Sequence, residues 1–293
     1  MQKKEVTTVM LNKKLQQTLP SIQPGWVWLA GAGPGDVGLL TLLCLQGLQQ
    51  ADVIVYDALV GDNILALARE DAAFEYAGKR GGRPSVKQHD ICERMVELAR
   101  SGKRVLRLKG GDPLVFGRGG EEARHLAGAG IPFRIVPGVT AGVGGLAYAG
   151  IPATDRHTNS AVTFMTAHGA DGGLAKDIDW DALVKASPFL VIYMGLSRVG
   201  QIADKLREAG LKSSEAVAVV SRASMIDQKV LETTLGECAD DVSKAGLKAP
   251  ALLVIGENIK LRQGLDWLGA IFEGRTLDPD VGHIRPQGKR FDS

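Results

Sequence analysis

Short apolar runs alternate with longer segments of helical periodicity along almost the whole chain, and that alternation constrains the fold more than any other feature. In the first half the runs are Val27–Ala30, Asp52–Tyr56, Phe74–Ala77, Arg104–Leu108 and Phe133–Val136. Between them the clearest helix is Val86–Arg100, where Val86, Ile91, Met95 and Leu98 recur at helical spacing behind a Ser85–Gln88 capping box. Further runs follow at 161–166, 189–194, 216–220, 229–233 and 251–255, with Val199, Ile202, Ala203 and Leu206 marking a helix. The pattern predicts an α/β fold with mostly parallel sheets covered on both faces.

A chain of 293 residues has room for two domains, and 45% apolar residues give each a core. The Gly/Ala/Pro-rich passage from Pro137 to Pro152 is the expected junction. It separates an N-terminal α/β domain (25–139) from a C-terminal one (140–268). Residues 1–24 read as a flexible arm. Beyond Trp267 the chain turns polar, so 269–293 reads as a loose tail.

A formal net charge of +2 gives no reason to expect nucleic-acid binding. The N-terminus lacks the apolar centre of a signal peptide, and the charge-free stretch 136–154 is broken by prolines and glycines. No membrane association is therefore expected, and the cytoplasm is the expected compartment. Three scattered cysteines, Cys44, Cys92 and Cys238, fit a reducing environment. The five histidines show no H-x-x-x-H or carboxylate-linked ligand spacing, so no metal is expected.

Two glycine turns stand at strand ends. Gly31-Ala-Gly33-Pro34-Gly35-Asp36 follows the first strand, where backbone amides can approach a ligand. It is not a dinucleotide fingerprint: the third glycine position is Asp36, and Pro34 removes an amide. A ligand-binding turn and a plain turn both remain open there. Lys109-Gly110-Gly111-Asp112-Pro113 closes another strand, with paired glycines that leave room for a flat ligand and an acid to accept hydrogen bonds. In Phe116-Gly-Arg-Gly-Gly-Glu-Glu122, Arg118, Glu121 and Glu122 read equally as an ion pair and an acidic first helical turn, or as functional groups.

These two turns, with Val55-Tyr56-Asp57, Ala77-Gly78-Lys79-Arg80, Val136-Pro-Gly-Val-Thr-Ala141, Ala149-Gly-Ile-Pro152 and Tyr193-Met194-Gly195, run in fixed order from Val27 to Trp267. In them the chain resembles the tetrapyrrole methylase family. The resemblance implies two α/β domains of tetrapyrrole methylase type with S-adenosylmethionine in the cleft between them, in a homodimer. It implies cofactor contacts from Pro34, Gly110, Gly111, Asp112, Val115, Thr140, Ala141, Met194 and Ala223. Asp57 and Lys79 match acid–base positions, and Arg118 with Glu121 completes the catalytic set. A departure is Asp155 before Arg156, where relatives often carry His.

The expected reaction is methylation of two ring carbons of uroporphyrinogen III to give precorrin-2 and S-adenosylhomocysteine, feeding cobalamin or sirohaem synthesis. That substrate is rich in carboxylates, which Arg118 and Arg156 would grip bidentately. Alignment of the reactants lowers the barrier, and one base removes a ring proton. With only some two dozen residues before Val27, a methyltransferase without an upstream dehydrogenase–chelatase domain is expected. Competing readings are a later precorrin methyltransferase, an RNA ribose methyltransferase and a dinucleotide-binding regulatory module.

Overall fold

The structure, a computed structural model, describes residues 13–78, 87–169 and 173–277. The chain divides into two compact units, Met1–Thr140 and Ala141–Ser293.

The first unit runs α1 (Lys13–Thr18), β1 (Val27–Gly31), α2 (Leu42–Gln50), β2 (Val53–Tyr56), α3 (Asp62–Leu65), β3 (Ala73–Tyr76), α4 (Gln88–Arg100), β4 (Val105–Lys109), α5 (Gly119–Gly128) and β5 (Phe133–Val136). Its five strands are all parallel in the order β3-β2-β4-β1-β5. Alternate side chains feed two apolar layers. Val27, Leu29, Val53, Val55 and Val105 pack with Met95 of α4 and Leu126 of α5. Trp28, Ala30, Ile54, Leu106 and Leu108 pack with Cys44 and Leu48 of α2 on the other face. Such parallel strands, buried on both sides, read in sequence as continuous apolar runs.

Helix α4 opens at Gln88 with Lys87 as its unassisted N-cap; the expected Ser85 capping box lies outside the described residues. Within the expected arm, the described residues 13–24 carry the short helix α1 and a fastened segment. Ile22 is buried, its amide donates to Gln50 Oε1 (2.9 Å), and Gln46 Nε2 donates to the Leu19 and Pro20 carbonyls, fastening the segment to α2.

The second unit runs α6 (Ala141–Tyr148), β6 (Thr163–Thr166), α7 (Trp180–Ala186), β7 (Leu190–Tyr193), α8 (Val199–Glu208), β8 (Ala216–Ser221), β9 (Lys229–Thr234), α9 (Cys238–Ala245), β10 (Ala251–Ile255), α10 (Arg262–Leu265) and α11 (Trp267–Glu273). Its sheet order is β6-β7-β10-β8-β9. Here the expectation of a mostly parallel sheet fails. Only β6 and β7 are parallel, while β10 runs antiparallel to both β7 and β8, and β8 antiparallel to β9. The reason is connection length. No helix separates β8 from β9, and their short link allows a hairpin but not a parallel crossover.

The expected loose tail also starts too early. Asp266 caps α11 through the Gly269 amide and is gripped by Arg262 and Arg275. Trp267 donates from Nε1 to the Ala147 carbonyl (2.8 Å) and stacks edge-on against Tyr148. A capped, tryptophan-anchored helix thus occupies 267–273 despite its polar surroundings. Among the described residues, no helix is long and apolar enough to cross a membrane.

Candidate active site

In the first unit β1 and β4 are neighbours, yet the chain leaving β1 runs to α2 on one face and the chain leaving β4 runs to α5 on the other. Adjacent strands whose connections diverge in this way open a crevice beyond their carboxyl ends, the usual ligand position in open α/β sheets. Both glycine turns stand at that point. They are stitched together by Gly111 N–H to Gly33 O (2.7 Å) and Gly33 N–H to Gly111 O (3.2 Å).

A third strand end joins them. Asp112 accepts from the Leu114 amide through Oδ1 (2.8 Å) and from the Gly138 amide through Oδ2 (2.9 Å), tying the loop after β4 to the loop after β5. The sequence reading cast Asp112 as a ligand acceptor; in the structure its carboxylate also pins two loops. Gly31 and Gly138 meet backbone to backbone. A Cβ on Gly31 would lie 2.6 Å from Gly138 Cα, and one on Gly138 would lie 2.7 Å from Gly31 Cα, each also against the Gly111 carbonyl.

Gly111 itself has φ 67°, and the nearest atom to a Cβ there is Thr140 Cα at 3.9 Å. Two expected cofactor residues are therefore neighbours, around a face of backbone that only glycine leaves bare. Gly110 lies beside the loop after β2, where Asp57 Oδ1 accepts from the Leu59 amide (3.0 Å) and, at 3.4 Å, from the Gly110 amide. Pro34 sits between Gly33 (φ 73°) and Gly35, and Val115 follows Leu114 in the turn that leads to α5. Lys79 lies outside the described residues, as do Arg80 and Arg83.

Arg118 is the N-cap of α5 with φ 59°, and its exposed guanidinium grips Glu121 bidentately at 3.0 and 2.7 Å. That hydrogen-bonded cation holds the Glu121 carboxyl below the usual carboxylate range, which makes Glu121 a poor base. Glu122 has another role, which sequence reasoning missed. It is fully buried, and its Oε1 accepts from Arg107 Nε (3.1 Å), Lys109 Nζ (3.0 Å) and Gln88 Nε2 (2.9 Å). Burial, and then the Arg107 cation, push the Lys109 ammonium below its usual range. The available signal was Arg107 and Lys109 at i and i+2 of an otherwise apolar strand, two cations on one covered face that need a buried counter-ion.

In the second unit, Ala141 opens α6, and the Gly142 amide donates to the Tyr193 hydroxyl (2.8 Å) at the end of β7. A Cβ on Gly145 would lie 2.6 Å from the Ala223 Cβ, so α6 packs closely on the loop after β8. Met194 follows β7, half-exposed, with φ 56°. Arg156 is exposed in the turn bracketed by the Asp155–Asn159 bridge. The expected site residues of this unit thus fall into two places: Ala141, Met194 and Ala223 around the start of α6, and Arg156 in its own turn.

Among the described residues, the non-glycine residues with positive φ are Phe116, Arg118, Met194, Arg222 and Ser224. All lie in loops leaving the carboxyl ends of β4, β7 and β8. Left-handed backbone costs a non-glycine residue about 1–2 kcal/mol, and such strain gathers at functional loops. The cysteines are no competing nucleophiles: all three are buried, and burial raises each thiol, that of Cys44 to about 12.

The family model for Tetrapyrrole (Corrin/Porphyrin) Methylases matches residues 27–239, and the chain belongs to this family. It is 56% identical over 262 residues, 89% of its length and 93% of the other's, to a uroporphyrinogen-III C-methyltransferase of Sinorhizobium sp. A siroheme synthase of Methylococcus capsulatus is 50% identical over 84% of this chain, which spans about half (52%) of that protein. Among solved structures, a uroporphyrin-III C-methyl transferase from Thermus thermophilus complexed with S-adenyl homocysteine is similar with TM-score 0.70 and 37% identity, covering 80% of this chain and 98% of that one.

Proposed function

We propose that this chain is an S-adenosylmethionine-dependent methyltransferase that methylates two ring carbons of uroporphyrinogen III, releasing precorrin-2 and S-adenosylhomocysteine. The observation that carries the reading is the open Gly111 backbone at the β1/β4 crevice, with Thr140 beside it and Gly110 next to it backed by the Leu59 side chain. The likeness to the Sinorhizobium enzyme supports the substrate. When bound, S-adenosylmethionine supplies an electrophilic methyl on its sulfonium.

The chain's own residues do the rest. Gly111, Asp112 and Thr140 hold the nucleotide, with Pro34, Gly110, Val115, Ala141, Met194 and Ala223 as further contacts. Arg118 and Arg156 bind substrate carboxylates and so orient the ring carbon, a positioning effect that can lower the barrier by several kcal/mol. Asp57 takes up the ring proton at Oδ2, since Oδ1 is committed to the Leu59 and Gly110 amides. Glu121 pre-orients Arg118, and Lys79 assists proton transfer. The product feeds cobalamin or sirohaem synthesis. On this reading the protein is a cytoplasmic homodimer, without nucleic acid or membrane as partner.

Incubating the protein with uroporphyrinogen III and S-adenosylmethionine is expected to yield a dimethylated product with S-adenosylhomocysteine; no methyl transfer to this tetrapyrrole would overturn the proposal. In the same assay Arg118→Ala is expected to lower turnover ~100-fold while leaving S-adenosylhomocysteine affinity within about threefold. Equal loss of both would reduce Arg118 to a support of the loop.

A further inference from the structure

The outer side of the α4–α5 pair, near the start of α4, gathers three metal-ligating side chains. His89 and Glu93 stand one helical turn apart on α4, and His125 comes from α5. Their ligand atoms all lie within 4.8 Å of one another. Glu93 Oε1 is 2.9 Å from His125 Nε2 and 4.0 Å from His89 Nε2, and the two imidazoles meet edge-on with centroids 5.8 Å apart. A hollow of about 320 Å³, lined by Glu93, Val96, Arg100, His125, Gly128 and Ala129, opens beside them.

The geometry points to a binding site for a borderline divalent transition ion, of which Zn²⁺ is the simplest probe. Two imidazoles and one carboxylate suit Zn²⁺, Co²⁺ or Ni²⁺ rather than Mg²⁺ or Ca²⁺, which prefer oxygen donors. Tetrahedral zinc at ~2.0–2.1 Å from nitrogen needs donors ~3.4 Å apart. Reaching that spacing asks for a swing of the exposed His89 ring and a widening of about 0.5 Å between Glu93 and His125, whose hydrogen bond the ion replaces. Three protein ligands leave a coordination position facing the hollow for water. The ion ties α4 to α5, and so braces the helix that carries Arg118, Glu121 and Glu122 at its start.

The sequence reading found no carboxylate-linked histidine and expected no metal. His89-x-x-x-Glu93 does have i,i+4 spacing, and the third ligand, 36 positions after His89, joins only because α4 and α5 pack together.

The test is calorimetric titration of Zn²⁺ into tag-free, chelator-stripped full-length protein. We expect one equivalent to bind and the melting temperature to rise by ~5 °C at saturating Zn²⁺. His125→Ala and Glu93→Gln should each weaken binding at least tenfold, and the His89→Ala/His125→Ala double variant should lose the thermal shift. His168→Ala, outside the cluster, should bind as the wild type does. Equal affinity in the wild type and the double variant would overturn the site, as would wild-type protein that takes up no zinc.

Discussion

Glu122→Ala is expected to destabilise the protein by about 3–5 kcal/mol, as removal of one partner from a buried ionic cluster does. The carboxylate is fully buried, and one oxygen receives Arg107, Lys109 and Gln88 together. Alanine would leave two cations on the covered face of β4 without a counter-charge. Arg107 keeps its bonds to the Val55 and Leu108 carbonyls (3.3 and 3.4 Å), which satisfy donors without balancing charge. Glu122→Gln keeps the volume but presents a neutral carbonyl, so its loss should fall between wild type and alanine. Urea unfolding of the three proteins measures the order. By contrast Glu121→Ala, one residue earlier in an exposed pair, should change stability by less than about 1 kcal/mol.

Gly138→Ala should be the more damaging substitution for activity. A methyl at 138 would sit 2.7 Å from Gly31 Cα and 2.8 Å from Gly31 C, with the Gly111 carbonyl on its other side. All of these are backbone atoms, so no side chain can swing aside. The ends of β1, β4 and β5 must part, which strains the fold by about 1–3 kcal/mol or more and displaces Gly111 and Asp112. Displacement of a binding loop by about 1 Å can cost ~100-fold in rate. S-adenosylhomocysteine affinity and turnover should therefore fall together. Gly128→Ala is the contrast: no atom lies within 4 Å of the added methyl, and a helical position gains up to ~1 kcal/mol from alanine. Measured side by side, the two variants separate crowding at the strand ends from a general intolerance of added bulk.

Much of this molecule was readable in advance because its strands are short, buried and apolar. The run Val27–Ala30 or Ala251–Ile255 has no other place to go than a sheet covered on both faces. Strand direction was less legible. It depends on the link between β8 and β9, too short for a crossover helix, and an apolar run does not record which way its strand points. The glycine turns mark a position for a ligand without naming it, and the chemistry comes only with the family resemblance; Gly31 and Gly138 act through backbone contact across strands that no local pattern records. Glu122 looked like an ordinary acid in a first helical turn because the cations it balances lie on another element. The helix at 267–273 is short and followed by a polar stretch, and its stability rests on the local Asp266 cap and on the Trp267 anchor, a contact made with distant Ala147.

The most direct measurement is a crystal structure of the protein with S-adenosylhomocysteine bound. The nucleotide is predicted to lie against the Gly110–Gly111 backbone beside Asp112 and Thr140, at the carboxyl ends of β1 and β4. Density for it elsewhere on the chain, with those glycines bare, would contradict the assignment of the strand-end loops as the methyl-donor site.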